Sequence, residues 1–244
     1  MKHMIPFLLG VLAVLSAHGQ ETEGVSYSAN LGITFTSGNS NTDQVNAGFK
    51  AEKITETREY FVEAFYDYGR SEQTQDGEEV RVTNLDKGKI EAKGNVVLSE
   101  KSYAYISISA ERNEISGIDR RVAAGPGLGH YLQRNDIMTL GVEGGLVWVF
   151  EEIDNTSNDY AAFRLAQNLK WALTEGATLR QDFEVIMDVE DEENYFINAS
   201  IVAEASLTAS LGLRTEIRNS YNNQPGSDKE QNDVILRTGI SVTW

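Results

Sequence analysis

His130 is the residue best suited to hydrolytic chemistry, because it is the only histidine beyond the first twenty residues of the 244-residue chain. A serine hydrolase uses a histidine to take the proton of the nucleophilic hydroxyl. A serine two positions later would share its face of a strand, but position 132 is leucine. Leu128 and Leu132 share the face of His130, which favours an outward, non-catalytic position. Since cysteine is absent, thiol catalysis and thiolate metal sites are excluded.

Carboxylates at alternate positions are the next candidates, because paired carboxylates can hydrolyse glycosidic bonds. Asp182 and Glu184 are two residues apart, so they lie on one face of a strand. Arg180 shares that face, and the segment 214–218 repeats the pattern with Glu216 between two arginines. Such alternation of sign favours ion pairs over an acid–base pair. The sequence therefore predicts no enzyme and no catalytic residue.

Two further segments carry oxygen ligands or glycine that could bind ions. The run 188–193 holds five carboxylates, and Ca²⁺ prefers oxygen ligands, but the Asp-x-Asp-x-Asp-Gly spacing of a calcium loop is missing. We expect a solvated loop, with weak divalent-cation binding as a hypothesis. Gly38 lies in a Ser-Gly-Asn-Ser segment that no Gly-Lys-Ser/Thr follows, so it predicts a hairpin loop. No cofactor site and no metal site is predicted.

The N-terminus has the pattern of an export signal. Residues 5–17 form an apolar stretch too short to span a bilayer as a helix. Ala17-His18-Gly19 then places small residues at a cleavage site, as in a secretory signal peptide. We predict a signal peptide at residues 1–19 and a mature chain of residues 20–244. The net charge of −16 argues against a nucleic-acid-binding protein.

Beyond residue 25 the chain alternates apolar and polar residues with a period of two, which predicts strands with one apolar face. In the last strand, for example, Val234 to Trp244 share an apolar face while Arg237 and Ser241 lie on the other. No long helical period occurs, and no apolar run beyond the N-terminus suits a transmembrane helix. The predicted strands are residues 25–36, 42–53, 58–71, 79–98, 103–115, 119–133, 137–151, 159–173, 177–188, 194–206, 209–221 and 231–244.

These twelve strands have the length and connections of a membrane barrel. Strands of soluble proteins usually have about five or six residues, whereas tilted transmembrane strands need about ten. The predicted connections alternate between short turns, such as 134–136, and longer loops, such as 152–158 and 222–230. This alternation is typical of outer-membrane barrels, whose short turns face the periplasm. The fold predicted is an all-β, antiparallel, up-and-down transmembrane barrel of about twelve strands. A soluble periplasmic sandwich, extractable without detergent, is the alternative.

The face opposite the apolar one carries charges of both signs, which suits a polar lumen and not a dry core. Its basic positions are Lys50, Lys89, Lys93, Arg164, Lys170, Arg180, Arg214, Arg218 and Arg237, and its acidic positions are Glu52, Glu63, Asp67, Glu91, Glu111, Glu143, Asp182, Glu184, Glu204 and Glu216. The candidate lumen residues in the second half of the chain are Arg164, Lys170, Arg180, Asp182, Glu184, Arg214, Glu216, Arg218 and Arg237.

The chain ends on an aromatic residue that completes an apolar face with Ile240 and Val242. Outer-membrane barrels typically end in this way, so Ile240, Val242 and Trp244 are predicted to form the signal read by the barrel-assembly machinery.

Several short segments resemble the salt-induced outer-membrane protein family. The matching segments are Gly32 to Thr42, Val97-Leu98-Ser99, Tyr103-Ala104-Tyr105, Asp119-Arg120-Arg121, Gly125-Pro126-Gly127-Leu128-Gly129, Pro225-Gly226 and Asp233. His130 departs from the pattern, since the family has an aromatic residue after Gly-Leu-Gly. The resemblance implies a β-barrel in the outer membrane and a link to salt or osmotic conditions. It transfers no catalytic residue.

Three functions compete for such a barrel. A narrow channel for ions or small solutes is the first, because about twelve strands lie between filled barrels of eight and open pores of sixteen. A non-conducting surface or structural barrel with acidic loops is the second, and a barrel hydrolase is the third. The expected location is the outer membrane. Lipid, lipopolysaccharide and the barrel-assembly machinery are the expected partners, with weak divalent cations at acidic loops and no nucleic acid.

Overall fold

The structure is a computed structural model that describes residues 24–36, 42–75 and 78–244. The predicted signal peptide and the Gly38 loop lie outside the described residues. Twelve strands form: β1 (Val25–Thr36), β2 (Thr42–Ile54), β3 (Arg58–Gln75), β4 (Glu78–Val97), β5 (Ser102–Asn113), β6 (Ile118–Arg134), β7 (Met138–Ile153), β8 (Thr156–Thr174), β9 (Ala177–Asp188), β10 (Tyr195–Ser206), β11 (Leu211–Asn222) and β12 (Asn232–Thr243).

The strands close into one antiparallel up-and-down barrel in which each strand pairs with its neighbours in sequence and β1 pairs with β12. This confirms the predicted fold class. An apolar outer face is compatible with lipid only if the sheet closes, because a free edge in lipid would leave backbone N–H and C=O groups without hydrogen-bond partners. No helix among the described residues is long and apolar enough to cross a membrane.

Burial in this barrel is inverted relative to a soluble protein. Leu236 and Ile106 on the outer face are each 66% exposed, while Asp67 on the inner face is 1% exposed. Water would penalise so much exposed apolar surface, whereas lipid tails would cover it. The outer face is therefore suited to a bilayer, and the polar residues surround a central lumen.

The two rims differ from the prediction in one respect. The strands continue through parts of the predicted longer loops, so β3 runs to Gln75 and β7 runs to Ile153. The expected loop at 152–158 is a two-residue turn at Asp154 and Asn155, which both have positive φ. Strand pairing satisfies backbone groups whatever the side chains are, so polar segments beyond the apolar band still form strands.

The seam between the first and last strands is short. The pairing of β1 with β12 runs from Ser28↔Thr243 to Leu31↔Ile240. Two backbone hydrogen bonds between Tyr27 and Trp244, of 3.0 and 3.1 Å, continue it towards the short turns. The ring of Trp244 also stacks on that of Tyr27, with centroids 6.1 Å apart. The last residue of the chain therefore helps to close the barrel.

Candidate functional site: the charged lumen

The candidate lumen residues lie on the inward faces of β8, β9, β11 and β12. Arg164 and Glu184 join one group of charges around Glu143, which lies on β7. The three arginines of β11 and β12 join a second group around Glu216. Lys170, Arg180 and Asp182 belong to neither group and line a cavity described below. Ile240 and Val242 lie on the lipid-facing side of β12, where their role in assembly stays a prediction.

The first group surrounds the carboxylate of Glu143, whose side chain is 0% exposed. Lys93 Nζ lies 2.5 Å from Glu143 Oε1, and Arg164 donates to Oε2 at 2.8 Å. The hydroxyl of Tyr103 donates to Oε1 at 2.7 Å. Arg164 also binds Glu184 through Nε, at 2.6 Å. Buried charges are tolerated only when they are paired and hydrogen-bonded, and this group meets both conditions.

The second group surrounds Glu216 on β11. Three guanidinium groups, those of Arg218, Arg214 and Arg237, lie 2.7, 3.1 and 3.2 Å from its carboxylate oxygens. Three cations around one anion leave a local excess of positive charge. Asp67 offsets part of that excess, because Arg237 Nε donates to Asp67 Oδ1 at 2.7 Å and a second guanidinium nitrogen binds Oδ2.

The pairing of Arg237 with Asp67 crosses part of the lumen. Arg237 lies on β12 and Asp67 on β3, and β1 and β2 stand between those strands. Each intervening strand has an inward glycine, Gly32 on β1 and Gly48 on β2, and a Cβ atom on either glycine would lie within 2.7 Å of an asparagine side chain. The ring of Phe65 packs under the arginine, 4.6 Å from the guanidinium carbon. Small residues on two strands thus make room for a bidentate ion pair between their neighbours.

Polar contacts also cross the lumen near the rim that carries the longer connections, the loop end. Lys87 on β4 donates to Ser220 Oγ on β11 at 2.7 Å. Asp233 of β12 accepts hydrogen bonds from Asn113, at 3.3 Å, and from Ser116. Because five strand-to-strand steps separate these partners around the barrel, the contacts join opposite walls.

The connection between β11 and β12, residues 223–231, folds over the same end. The backbone N–H of Ser227 donates to Asp154 Oδ2 at 2.6 Å. Asn223 donates to the carbonyl of Glu193 at 2.7 Å. These bonds fasten the connection to the β7–β8 turn and to the β9–β10 loop, so they restrict access to the lumen from the loop end.

An apolar cluster fills part of the lumen, which the sequence analysis did not predict. Its members come from inward positions of β6 to β10 and are each less than 9% exposed: Ala123, Val147, Val149, Tyr160, Ala162, Ile186 and Phe196. The guanidinium of Arg121 covers the Phe196 ring at 4.3 Å. The lumen is therefore a packed, mixed core in this part of the barrel and not a uniform aqueous pore.

A cavity of about 370 Å³ occupies the remaining lumen. Its lining begins at the short-turn end with Ile54, Arg134 and Lys170, and reaches Lys87 and Ser220 towards the loop end. The side chain of Lys170 is 61% exposed, which marks the mouth of the cavity. The cavity volume falls within the range of small-molecule sites, about 300–1,000 Å³.

The Gly-Pro-Gly-Leu-Gly segment has a structural role in β6. A Cβ atom on Gly129 would lie 2.1 Å from the ring of Tyr103, and one on Gly127 would lie 2.3 Å from Tyr105. The two tyrosines of β5 therefore lie against glycines of the next strand. In that position the hydroxyl of Tyr103 reaches Glu143, and the hydroxyl of Tyr105 accepts a hydrogen bond from Arg164 at 2.9 Å.

His130 lies at the short-turn end and is exposed on the outer face. Its Nδ1 is 3.1 Å from Ser102 Oγ on β5. The serine thus comes from the neighbouring strand. Among the described residues no carboxylate hydrogen-bonds to this ring, so the geometry lacks the group that orients the base in a triad.

Sequence reasoning missed several buried charges at strand ends. Glu59, at the start of β3, binds Arg134 at 2.7 Å and also accepts hydrogen bonds from Asn95 and Tyr131. Arg121 binds Glu111 and Glu151 at 2.9 and 2.6 Å. The inward face of β6 contains glycines where other strands carry charges, so the sequence pattern did not indicate that Arg121 lies in the lumen. Lys87 was detectable, because it shares the face of Lys89.

No group of three or more histidine, aspartate or glutamate side chains within the described ranges is arranged to hold a metal ion. In the run 188–193, Asp188 is buried and accepts hydrogen bonds from Glu190 N–H and from Asn194. Asp188 was predicted to lie in the solvated loop, but in the structure it ends β9 and caps the loop. Its carboxylate is thus engaged within the protein.

A family model described as a protein of unknown function, DUF481, matches residues 29–244. The chain belongs to the DUF481 family. The DUF481 match begins at the fifth residue of β1 and covers the other eleven strands completely. The match leaves the salt connection untested. No curated protein sequence matches this DUF481 chain significantly.

Solved structures similar to this DUF481 barrel include the NanC porin, with a TM-score of 0.52, 9% sequence identity, and coverage of 89% of this chain and 98% of that structure. Another is an outer membrane channel from Pseudomonas putida F1, with a TM-score of 0.50, 8% identity, and coverage of 92% and 99%. At such low identity these likenesses show the fold alone, a closed barrel of outer-membrane type.

Proposed function

We propose that this DUF481 protein is an outer-membrane barrel that passes small ions slowly through a narrow lumen held nearly closed at the loop end. The observation that supports this function is the set of contacts between opposite walls, above all Lys87 with Ser220 and Asp233 with Ser116. A continuous path must run between or displace these side chains. Two solved structures of similar fold are a porin and an outer membrane channel, which agrees with a transport role.

The orientation follows from the rims. Both described ends of the barrel, at Val25 and Trp244, lie at the short-turn end. Short turns face the periplasm in outer-membrane barrels, so we assign the cavity mouth to the periplasm and the bridged end to the outside. A location in the outer membrane also requires export, which we assign to the signal peptide at residues 1–19, and assembly, which we assign to the last strand.

The partners proposed for this location are lipid and lipopolysaccharide at the outer face and the barrel-assembly machinery at β12. Weak divalent-cation binding near residues 190–193 also stays a proposal. The link to salt or osmotic conditions rests on the family resemblance of the sequence. No reaction is proposed, because the carboxylates of the two lumenal groups, Glu143 and Glu216, are bound by cations.

Planar-bilayer recording tests the channel proposal. The wild type should give small conductance steps, and Asp233→Ala should enlarge them at least about twofold because it removes the contacts to Asn113 and Ser116. Asp228→Asn is the matched control, since Asp228 lies on the same connection, is exposed and has a φ of 60° that asparagine tolerates. Large steps in the wild type would overturn the proposal, because they would require an open lumen.

A second function, a non-conducting surface barrel, is favoured by the fastening of the connection 223–231 over the loop end. It predicts no conductance in the wild type and none in Asp233→Ala, so the same recording separates the two functions.

Outer-membrane location is tested independently. Membrane fractionation should find the protein in the outer membrane, and its gel mobility should change on boiling; extraction in plain buffer would contradict a membrane barrel.

A further inference from the structure

Two cations oppose each other directly in the wall of the lumenal cavity. Lys170 of β8 and Arg180 of β9 are register partners, and both side chains line the cavity. Like charges directly opposite each other on neighbouring strands destabilise the pair. A wall with this arrangement therefore stores an unfavourable interaction that a bound anion would relieve.

The carboxylates nearest to this pair are engaged by other side chains. Glu52, across the lumen on β2, lies 4.0 Å from Lys170 Nζ but is bound more closely by Lys50, at 2.7 Å. Asp182 accepts a hydrogen bond from Asn168 at 2.8 Å. Within the described part of the chain, Arg180 has no carboxylate within 4 Å and no hydrogen-bond partner, so its guanidinium has donors free for a ligand.

Glu63 is the other nearby carboxylate, since it is the register partner of Lys50. The cation nearest to it is Arg218, at 3.8 Å. Arg180 thus faces the cavity with Lys50 and Lys170 around it, and among the described residues Glu52 is the carboxylate that lies within 4.0 Å of both lysines.

The charges around the cavity as a whole balance, so the excess is local. Nine basic side chains line it: Lys50, Lys87, Lys89, Lys93, Arg134, Arg164, Lys170, Arg180 and Arg218. Seven acidic side chains line it: Glu52, Glu59, Glu63, Glu91, Glu111, Asp182 and Glu184. Glu143 and Glu216 bind Lys93, Arg164 and Arg218 from just outside the lining, so any excess of positive charge is local to the pair of Lys170 and Arg180. Low-dielectric walls that carry one sign of charge in excess concentrate ions of the opposite sign.

We propose that Lys50, Lys170 and Arg180 form a binding site for a small organic dicarboxylate that enters the cavity from the short-turn end. Two carboxylates match the two opposed cations, Lys170 and Arg180. The cavity volume of about 370 Å³ suits an organic molecule better than a single inorganic oxyanion. The planar fork of Arg180 suits one carboxylate, with two parallel hydrogen bonds. Assigning the ligand to the periplasm rests on the proposed function, but binding itself does not.

Calorimetry of the full barrel, purified from membranes in detergent, tests the site with succinate as the probe. Succinate should bind, whereas its neutral diamide should not. Arg180→Gln and Lys170→Gln should each weaken succinate binding about tenfold or more, as expected for the loss of a charged hydrogen bond. Lys101→Gln is the control, because Lys101 lies on the exposed turn between β4 and β5 and should leave binding unchanged.

Thermal denaturation gives a readout that ordinary loss of structure would not produce. Arg180→Gln is compared with the wild type, with and without succinate. Succinate should then raise the melting temperature of the wild type and not that of the variant. The proposal would be overturned if the wild type did not bind succinate, or if both variants bound succinate as tightly as the wild type. It would also be overturned if the wild type bound inorganic phosphate as tightly as succinate. These measurements in detergent are independent of conductance, so failure of the channel proposal would be recognised separately.

Discussion

Glu143 is a single residue that joins three lumenal side chains. Its enclosed carboxylate binds Lys93, Arg164 and Tyr103. Glu143→Gln keeps the side-chain volume but leaves two cations without their shared anion. We expect the free energy of unfolding to fall by about 3–5 kcal/mol, as when one partner of a buried ion pair is removed.

The loss of stability is measured as the temperature of heat treatment at which the gel mobility of the barrel changes. Glu100→Gln provides the control, because Glu100 lies on an exposed turn. Equal transition temperatures for the wild type and Glu143→Gln would show that water in the lumen, and not the ion pairs, stabilises these charges.

Single residues also show what the sequence could predict and what it could not. Strand alternation was enough to propose that Asp67 and Arg237 share the inward face. Their pairing depends on barrel closure and on small residues at intervening positions, such as Gly48, which alternation does not reveal. The approach of Ser102 to His130 was hidden for the same reason: strand register brings the two together from positions 28 residues apart.

At the level of the element, glycines of β6 leave space in the lumen that tyrosine side chains of β5 fill. Gly129→Ala would place a Cβ atom 2.1 Å from the Tyr103 ring, which must then move away from Glu143. Overpacking of this kind costs about 1–3 kcal/mol. We therefore expect a lower melting temperature for Gly129→Ala.

Gly144→Ala is the matched control on β7. Its new Cβ would meet only a methyl group of Leu165, at 3.7 Å, on the lipid-facing side. A melting temperature lowered equally by the two substitutions would mean that glycine acts in β6 through backbone flexibility and not through space for the tyrosine.

The strand boundaries were predicted less accurately than the strands themselves. Alternation located every strand, because lipid and lumen impose opposite polarity on successive residues. It placed ends too early at β3 and β7, where polar residues continue the ladder. The tight turn at Asp154 and Asn155 depends on positive φ at both residues, which aspartate and asparagine accept more readily than most residues, so composition alone suggested a longer loop.

For the whole molecule, alternation predicted a polar lumen, and the structure shows one that is partly packed. The apolar cluster of β6 to β10 occupies inward positions, so it interrupts the expected polarity pattern. Whether the lumen is open depends on side chains that meet from opposite walls, such as Lys87 and Ser220. Such contacts depend on barrel diameter and strand stagger, which a sequence pattern does not supply.

Charge is distributed unequally between the lumen and the loop end, and this distribution sets the response of the whole barrel to salt. The lumenal ion pairs are largely enclosed, as at Arg121 and Glu151, whose side chains are 6% and 5% exposed. Exposed acidic residues, such as those at 190–193, contribute to a net charge of −16. Screening acts strongly on exposed charges and weakly on buried pairs, so salt should relieve the repulsion more than it weakens the ion pairs.

Raising NaCl from about 10 mM to about 0.5 M, which shortens the Debye length several-fold, should therefore raise the melting temperature of the folded barrel in detergent. Glu190→Gln combined with Glu192→Gln should reduce this increase, because it removes two exposed carboxylates from the acidic loop. Lys101→Gln serves as the control, since removing an exposed cation makes the net charge more negative and should enlarge the increase. A melting temperature that falls with salt would mean that lumenal ion pairs are accessible to the electrolyte and dominate the electrostatic stability.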